Sequence, residues 1–208
     1  MNIQQLPQHE LARLREKAKE QAGSQFEYQE YYTNLLTRRL NGEPLQYIEE
    51  YIPFYSIQIN VDERCLIPRP ETEYLIEIIK NNIDSPQNIL DVGTGTGCIA
   101  LMLKKIYSES NVDAVDISEQ ALELAIENAQ INDLDVTFSV SDLLKNVENN
   151  KYDIIVANLP YIPTETLQNL DKEVINYEPM VALDGDLDQF VDALIADNEA
   201  RRLANLQE

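Results

Sequence analysis

The spacing of apolar and polar positions changes several times along the chain, and each change marks an element. Leu11, Leu14 and Ala18 recur at helical spacing in a charged first segment, which predicts one apolar stripe on a solvated helix. Ser24 and Glu27 have the capping-box spacing, and Tyr28, Tyr31, Tyr32, Leu35 and Leu36 carry a second amphipathic helix to Asn41-Gly42. From Tyr47, Ile48, Phe54 and Tyr55 onward the pattern becomes aromatic and β-rich. The alternation of Ile57, Ile59 and Val61 predicts a hairpin strand that turns at Asp62-Glu63. Pro68 and Pro70 then stiffen the chain around Arg69. Pro70 suits the first turn of a helix, with Glu71 and Glu73 near its positive end and Leu75, Ile76, Ile79 and Ile83 on its apolar face.

From residue 88 the pattern alternates between strand and helix: 89–92, 99–106, 112–115, 121–129, 136–140 and 154–157. Such alternation predicts an α/β domain with a parallel sheet and crossover helices. Leu187, Phe190, Val191, Leu194 and Ile195 begin one more amphipathic helix. The expected organisation is a helical substrate-docking domain over 1–43, a β-hairpin and linker over 44–69, and a sheet domain over 70–208.

Chemically distinctive residues collect where the strands end. Asp91-Val92-Gly93-Thr94-Gly95-Thr96-Gly97 follows the first strand of the sheet and opens a helix, so backbone can approach a ligand there. A dinucleotide fingerprint needs a further glycine where Cys98 stands, which disfavours a pyrophosphate. Asp116 closes the second strand, where a carboxylate can take both hydroxyls of a ribose. Asp142, beside Leu143, follows the third and can reach an adenine edge.

The fourth strand stops in Asn158-Leu159-Pro160-Tyr161. Pro160 cannot donate to a ladder and pushes Leu159 toward extended backbone, so an amide, a free carbonyl and a ring are fixed at the strand tip. This set suits a planar nitrogen whose lone pair is delocalised. The Asn158 oxygen and the Leu159 carbonyl can accept its two N–H bonds, and Tyr161 can cover its face. Such a site works by position and electrostatics without a strong base. A nucleoside cofactor lacking a pyrophosphate, beside an amine-positioning loop, points to S-adenosylmethionine and methyl transfer.

Composition narrows the partners. Against 37 acidic residues stand 16 basic ones, a net charge of −21, which repels phosphate backbones and favours a protein or small-molecule substrate over nucleic acid. Cys65 and Cys98 lack metal spacing and His9 is the sole histidine, so neither a metal site nor a Ser-His-Asp triad is expected. The cysteines read as small apolar residues in a reducing compartment. No charged-then-apolar leader opens the chain, and no apolar run approaches the roughly 18 residues that span a bilayer. The expectation is a cytoplasmic protein without membrane contact.

These residues resemble the HemK/PrmC-type protein-(glutamine-N5) methyltransferases, which modify the glutamine of the Gly-Gly-Gln motif in peptide chain release factors. The matching pieces run in family order: Pro44-Leu45-Gln46-Tyr47-Ile48, Leu66-Ile67-Pro68-Arg69-Pro70-Glu71-Thr72-Glu73, the glycine loop from Leu90, Ala114-Val115-Asp116, Ser141-Asp142-Leu143, Asn158-Leu159-Pro160-Tyr161 and Tyr177-Glu178-Pro179. The Ile-Pro-Arg-Pro-Glu-Thr-Glu stretch is the most specific of them. The resemblance implies a Rossmann-like class I S-adenosylmethionine-dependent methyltransferase acting in translation termination, with a release factor as partner. It implies that Gly93, Thr94, Gly95, Thr96 and Gly97 line the methionyl end of the cofactor, that Asp116 holds the ribose, that Asp142 and Leu143 hold the adenine, and that Asp91 and Asn158 also belong to the cofactor-binding set. Asn158, Leu159, Pro160 and Tyr161 would hold the substrate amide, with Arg69 and Glu71 near the mouth.

The chain departs from the family pattern at three places. Leu159 stands where the family has proline, a loss of stiffness of about 0.4–1 kcal/mol. Asn-Leu-Pro-Tyr also resembles the motif of ribosomal RNA adenine dimethyltransferases, which gives an alternative substrate class. Gly185-Asp186 lacks the family's double glycine after Ala182-Leu183, and the chain ends at Glu208 before the family's further strands, so measured against that family the sheet would be incomplete, in the order 3-2-1-4, with its fourth strand at an unprotected edge open to pairing. A shortened C-terminus raises a second alternative, an inactive cofactor-binding or partner-binding remnant.

Overall fold

The computed structural model describes residues 6–147 and 152–185, together with Asp188, Val191, Asp192 and Ile195. Leu187, Phe190 and Leu194 of the expected last helix lie outside the described residues.

Helix α1 (Gln8–Gln21) packs on α2 (Gln25–Leu40), and the short α3 (Leu45–Glu49) closes the unit. Of the expected stripes, Leu14, Ala18 and Leu35 are buried together, joined by Leu45 and Ile48 from α3, a segment expected to be linker and β-rich, while Tyr31 is exposed. Ser24 caps α2 by accepting the Glu27 N–H at 3.2 Å, and Glu27 reaches back to the Gly23 N–H at 2.8 Å. Arg39 is buried on α2. Its guanidinium donates to both carboxylate oxygens of Glu10 on α1, at 2.7 and 3.1 Å, and to Glu173 at 2.7 Å on α7 (Lys172–Tyr177). That bidentate pairing holds the Glu10 carboxyl below the usual range. One buried cation thus ties the helical unit to the segment beyond the Asn-Leu-Pro-Tyr loop.

The hairpin differs from expectation in one detail. Its strands are β1 (Tyr51–Phe54) and β2 (Ile57–Asn60), so the turn between them is at Tyr55-Ser56. Tyr55 adopts φ 53° there, a left-handed conformation that carries no glycine signal in the sequence. Its N–H is held by Glu73 of α4 (Glu71–Asn82) at 3.0 Å. The chain does bend at Asp62, where the Cys65 N–H bonds the Asp62 carbonyl, but only after β2 has ended.

The sheet follows the alternation. Strands β3 (Asn88–Val92), β4 (Asn111–Asp116), β5 (Thr137–Val140) and β6 (Ile154–Ala157) are all parallel and ordered β5-β4-β3-β6, with α5 (Cys98–Ile106) and α6 (Glu119–Asn132) as crossovers. The expected order 3-2-1-4 is this one. Ile89, Leu90, Val92, Val112, Ala114 and Val115 are buried, as two-sided cover of a parallel sheet requires. β6 is less enclosed than its four apolar residues predict. Ile154 and Val156 are buried but Ile155 is 37% exposed, because among the described residues β6 pairs only with β3.

The hairpin is bolted to the sheet domain by two asparagines one helical turn apart on α6. Asn128, fully buried, accepts the Asn60 N–H at 2.7 Å and donates to the Asn60 carbonyl at 3.1 Å and the Thr96 carbonyl at 2.9 Å. Asn132 repeats the pairing on Gln58, accepting at 3.3 Å and donating at 2.7 Å. Each amide imitates a neighbouring strand and satisfies the free edge of β2. Only Asn128 also reaches the glycine loop. Removing it strands three backbone groups, so Asn128→Ala is expected to cost roughly 2–3 kcal/mol in urea unfolding and Asn132→Ala about 1 kcal/mol or less. Equal losses would contradict this division.

Candidate active site

The parallel register sets the tips of three strands side by side. Val92 of β3 is level with Val115 of β4 and Ala157 of β6. The next residues, Gly93, Asp116 and Asn158, therefore emerge together at the carboxyl edge, where open α/β sheets bind ligands. They line one cavity of about 370 Å³, within the range of small-molecule sites. Gly95, Ser141, Asp142, Leu143, Leu159 and Pro160 line it as well.

Each glycine of the loop has its own task. Gly95 has φ 55° and open space where a Cβ would stand, so it presents bare backbone to the cavity. Gly93, at φ 69°, holds a conformation that side chains rarely adopt, and a Cβ there would lie 2.5 Å from Leu159 Cδ2 and force the leucine aside. The residue that replaces the family's proline therefore packs directly on the glycine loop. Gly97 makes room for Ala125 of α6 and faces away from the cavity. Thr94 and Thr96 are buried behind the loop and do not line the cavity.

Asp116 organises the loop from the neighbouring strand. Its Oδ2 accepts the Gly95 N–H at 2.8 Å and its Oδ1 the Ser118 N–H at 2.9 Å. Each oxygen keeps a second lone pair for a hydroxyl. With the Gly95 N–H already taken by a carboxylate, the loop is a poor cradle for phosphate. Asp116, Asp142 and Asp184 face the cavity against a single cation, Arg64, so the lining suits a cationic ligand.

Asp91 is not a lining residue. It is fully buried beneath the loop, where Oδ2 accepts the Thr94 hydroxyl at 2.6 Å and the Ala100 N–H at 3.2 Å, while Oδ1 has no partner. Burial pushes its carboxyl up to about 7 against those two hydrogen bonds. The two thiols are inert for the same reason: burial pushes Cys98 up to about 12 and Cys65 upward as well.

The Asn-Leu-Pro-Tyr loop is positioned from both sides. Asn158 Nδ2 donates to the Thr72 hydroxyl of α4 at 3.3 Å. Gly185 packs on the Pro160 backbone, where a Cβ would fall 2.3 Å from the carbonyl oxygen, and its N–H bonds the Ile162 carbonyl at 3.2 Å. A strap formed by Thr164–Asn169, α7 and Met180–Ala182 links these points, and Pro179, Val181 and Ala182 wall the cavity. Its anchor is Glu178, a buried carboxylate that accepts from Arg69 Nη2 at 2.6 Å and from the Ile67 N–H at 3.1 Å.

Besides Asp91, Thr94, Thr96 and Gly97, three further expected site residues stand outside the cavity lining. Tyr161 is 66% exposed and outside the cavity lining, so it covers no ligand face in this arrangement. Arg69 is spent on Glu178, and Glu71 is exposed at the start of α4. Neither lines the cavity. Sequence reading missed Thr72, Glu178 and the strap. Thr72 and Glu178 both lie within quoted motifs, and that was the available signal.

A doubly wound parallel sheet with a glycine loop and an acidic second-strand tip defines a nucleoside-binding α/β domain. The chain belongs to the methyltransferase small domain family, whose model matches residues 70–179. It is similar to the release factor glutamine methyltransferase of Lactococcus lactis subsp. lactis (strain IL1403), 46% identical over 153 residues that make up 73% of this chain and 56% of the relative. The protein of that name from Aliivibrio fischeri (strain ATCC 700601 / ES114) is 39% identical over 166 residues, 78% of this chain and 58% of its own. The chain thus spans little more than half the length of the curated relatives it matches. Among solved structures, the hMettl16 catalytic domain in complex with MAT2A 3'UTR hairpin 6 superposes with a TM-score of 0.53 at 17% identity, covering 70% of this chain and 58% of that one. That likeness concerns the fold alone. Among the described residues no helix is long and apolar enough to cross a membrane, and no group of three or more His, Cys, Asp or Glu is placed to hold a metal ion.

Burial of Asp91 gives a pH signature. An unfolded aspartate titrates at about 4. A folded value raised to about 7 means that its contribution to stability is complete below about pH 4 and is lost as pH rises toward 7. Asp91→Asn is therefore expected to flatten the decline in unfolding free energy between about pH 4 and 7, measured by urea midpoints against the wild-type chain. Parallel curves would contradict it.

Proposed function

We propose that the chain transfers a methyl group from S-adenosylmethionine to the side-chain amide nitrogen of a glutamine, the glutamine of the Gly-Gly-Gln motif in a peptide chain release factor. The observation that carries this reading is the continuity of the cavity. One volume is lined by Gly93, Gly95, Asp116 and Asp142 at one end and by Asn158, Leu159 and Pro160 at the other. The names of the relatives support the same substrate class.

The residues present fit S-adenosylmethionine on this structure's own evidence. The bare backbone at Gly95 leaves room for close approach. Asp116 keeps lone pairs for ribose hydroxyls, Ile117 and Leu143 offer apolar faces to a purine, and Asp142 stands beside them. The acidic lining suits a sulfonium cation and repels phosphate. When bound, that cofactor supplies an electrophilic methyl carbon on positively charged sulfur.

The chain's own groups orient the acceptor. The Asn158 oxygen and the Leu159 carbonyl take the two N–H bonds of a carboxamide, which fixes the plane of its nitrogen and turns the lone pair toward the glycine-loop side. As the nitrogen gains positive charge, the same two acceptors hold its protons more strongly, so their contribution is greatest in the transition state. Forming the carbon–nitrogen bond would break the methyl–sulfur bond and leave a neutral thioether; the nitrogen, then strongly acidic, would release one proton to water, so no strong base is required. The strap, pinned by Arg69–Glu178 and Arg39–Glu173, forms one wall of the cavity.

Asn158→Ala is expected to lower transfer of labelled methyl groups to a Gly-Gly-Gln-containing release factor by about 100-fold or more. Cofactor binding measured by calorimetry should be weakened but detectable. Turnover equal to that of the wild-type chain would refute the assignment.

A further inference from the structure

The proposed reading needs the Asn158 carboxamide to present its oxygen, not its nitrogen, to the cavity. A primary amide has two nearly isosteric ends, and nothing within Asn158 chooses between them. The choice must come from a neighbour. Asn158 lines the cavity, and the partner found for its side chain is Thr72, on the first turn of α4 and 86 positions away in sequence. Thr72 is only 7% exposed and does not line the cavity, so its hydroxyl is a fixed contact behind the loop.

We infer that Thr72 is a positioning residue that accepts the Asn158 Nδ2 proton and thereby turns the Asn158 oxygen toward the substrate amide; this rests on the methyl-transfer reading above. As placed, the amide donates Nδ2 to that hydroxyl at 3.3 Å, at the long end of N–H···O distances and longer still for the O–H···O bond that the reversed amide would need. The reversed amide would also meet an incoming N–H with a donor and repel it.

The position of Thr72 is itself well determined. Its backbone N–H bonds the Arg69 carbonyl at 3.0 Å, and Arg69 is anchored on buried Glu178, which also holds the Ile67 N–H. The Ile-Pro-Arg-Pro-Glu-Thr-Glu segment thus acts on the reaction from outside the cavity. Arg69 and Glu178 hold the start of α4, and Thr72 transmits that placement to the amide. Neither Arg69 nor Thr72 touches substrate in this account.

The test uses the whole chain with Thr72→Val, which removes the hydroxyl at nearly constant shape, and Thr72→Ser, which restores it. The first readout is independent of turnover: exchange of the Asn158 side-chain amide protons with solvent, followed by ¹⁵N-resolved NMR in the chain alone. Loss of one hydrogen bond predicts roughly three- to tenfold faster exchange in Thr72→Val and wild-type behaviour in Thr72→Ser. The same spectra report whether each variant is folded. The second readout is methyl transfer to release factor, where kcat should fall by a similar factor in Thr72→Val, with KM for the cofactor unchanged and recovery in Thr72→Ser.

Exchange rates in Thr72→Val equal to those of wild type would overturn the inference, whatever turnover does. If Asn158→Ala abolishes transfer while Thr72→Val changes neither readout, only the role of Thr72 fails. If Thr72→Val speeds exchange but Asn158→Ala turns over normally, the contact is real and the methyl-transfer reading fails.

Discussion

Everything at the site depends on the parallel ladder between β3 and β6. Pairing of Val92 with Ala157 brings the glycine loop and the asparagine corner out of the sheet at the same level. A slip of one residue would turn every side chain of β6 to the opposite face, exposing Ile154 and Val156 and burying Ile155. The buried positions on β6 therefore hold the register, and the register holds the two loops against each other. The contact between Leu159 and the missing side chain of Gly93 is a direct consequence of that alignment.

Above the ladder, the loops are shaped by side chains that stand in for backbone partners. Asp116 takes the N–H groups of Gly95 and Ser118, Asn128 takes the edge of β2 and the Thr96 carbonyl, and Thr72 takes the amide of Asn158. Each contact crosses from one element to another, so the cavity is a joint product of β3, β4, β6, α4 and α6. Beneath the loop, Asp91 Oδ1 is the one buried side-chain polar atom without a partner among the described residues, and burial pushes that carboxyl toward the neutral form. The long-range ion pairs of Arg39 and Arg69 play the corresponding role for the strap.

Much of this was legible in the sequence because the informative residues lie where a period ends. The strand–helix alternation predicts a parallel sheet, and the strand ends point to the glycine loop, Asp116, Asp142 and Asn158, which line one cavity, whereas Asp91, expected with them, is buried beneath the loop. What periodicity cannot carry is contact between segments that share no period. The turn at Tyr55-Ser56 has no glycine to announce it, and α3 hides in Leu45–Glu49, where aromatic residues suggest a strand. Glu178 meets Arg69 across 109 positions and Thr72 meets Asn158 across 86, so neither pairing follows from spacing. Tyr161 was assigned to a ligand face from chemistry alone. After Pro160 the chain turns into the strap, and the ring points to solvent.

The central claim is that one cavity holds a methyl donor and an amide side by side. A crystal structure of the chain with S-adenosylhomocysteine tests it most directly. The account predicts the ribose on Asp116, the purine between Ile117 and Leu143, and the thioether sulfur facing the Asn158 corner, with space for a carboxamide between. A ligand bound outside this cavity, or one whose sulfur points away from Asn158, would contradict it.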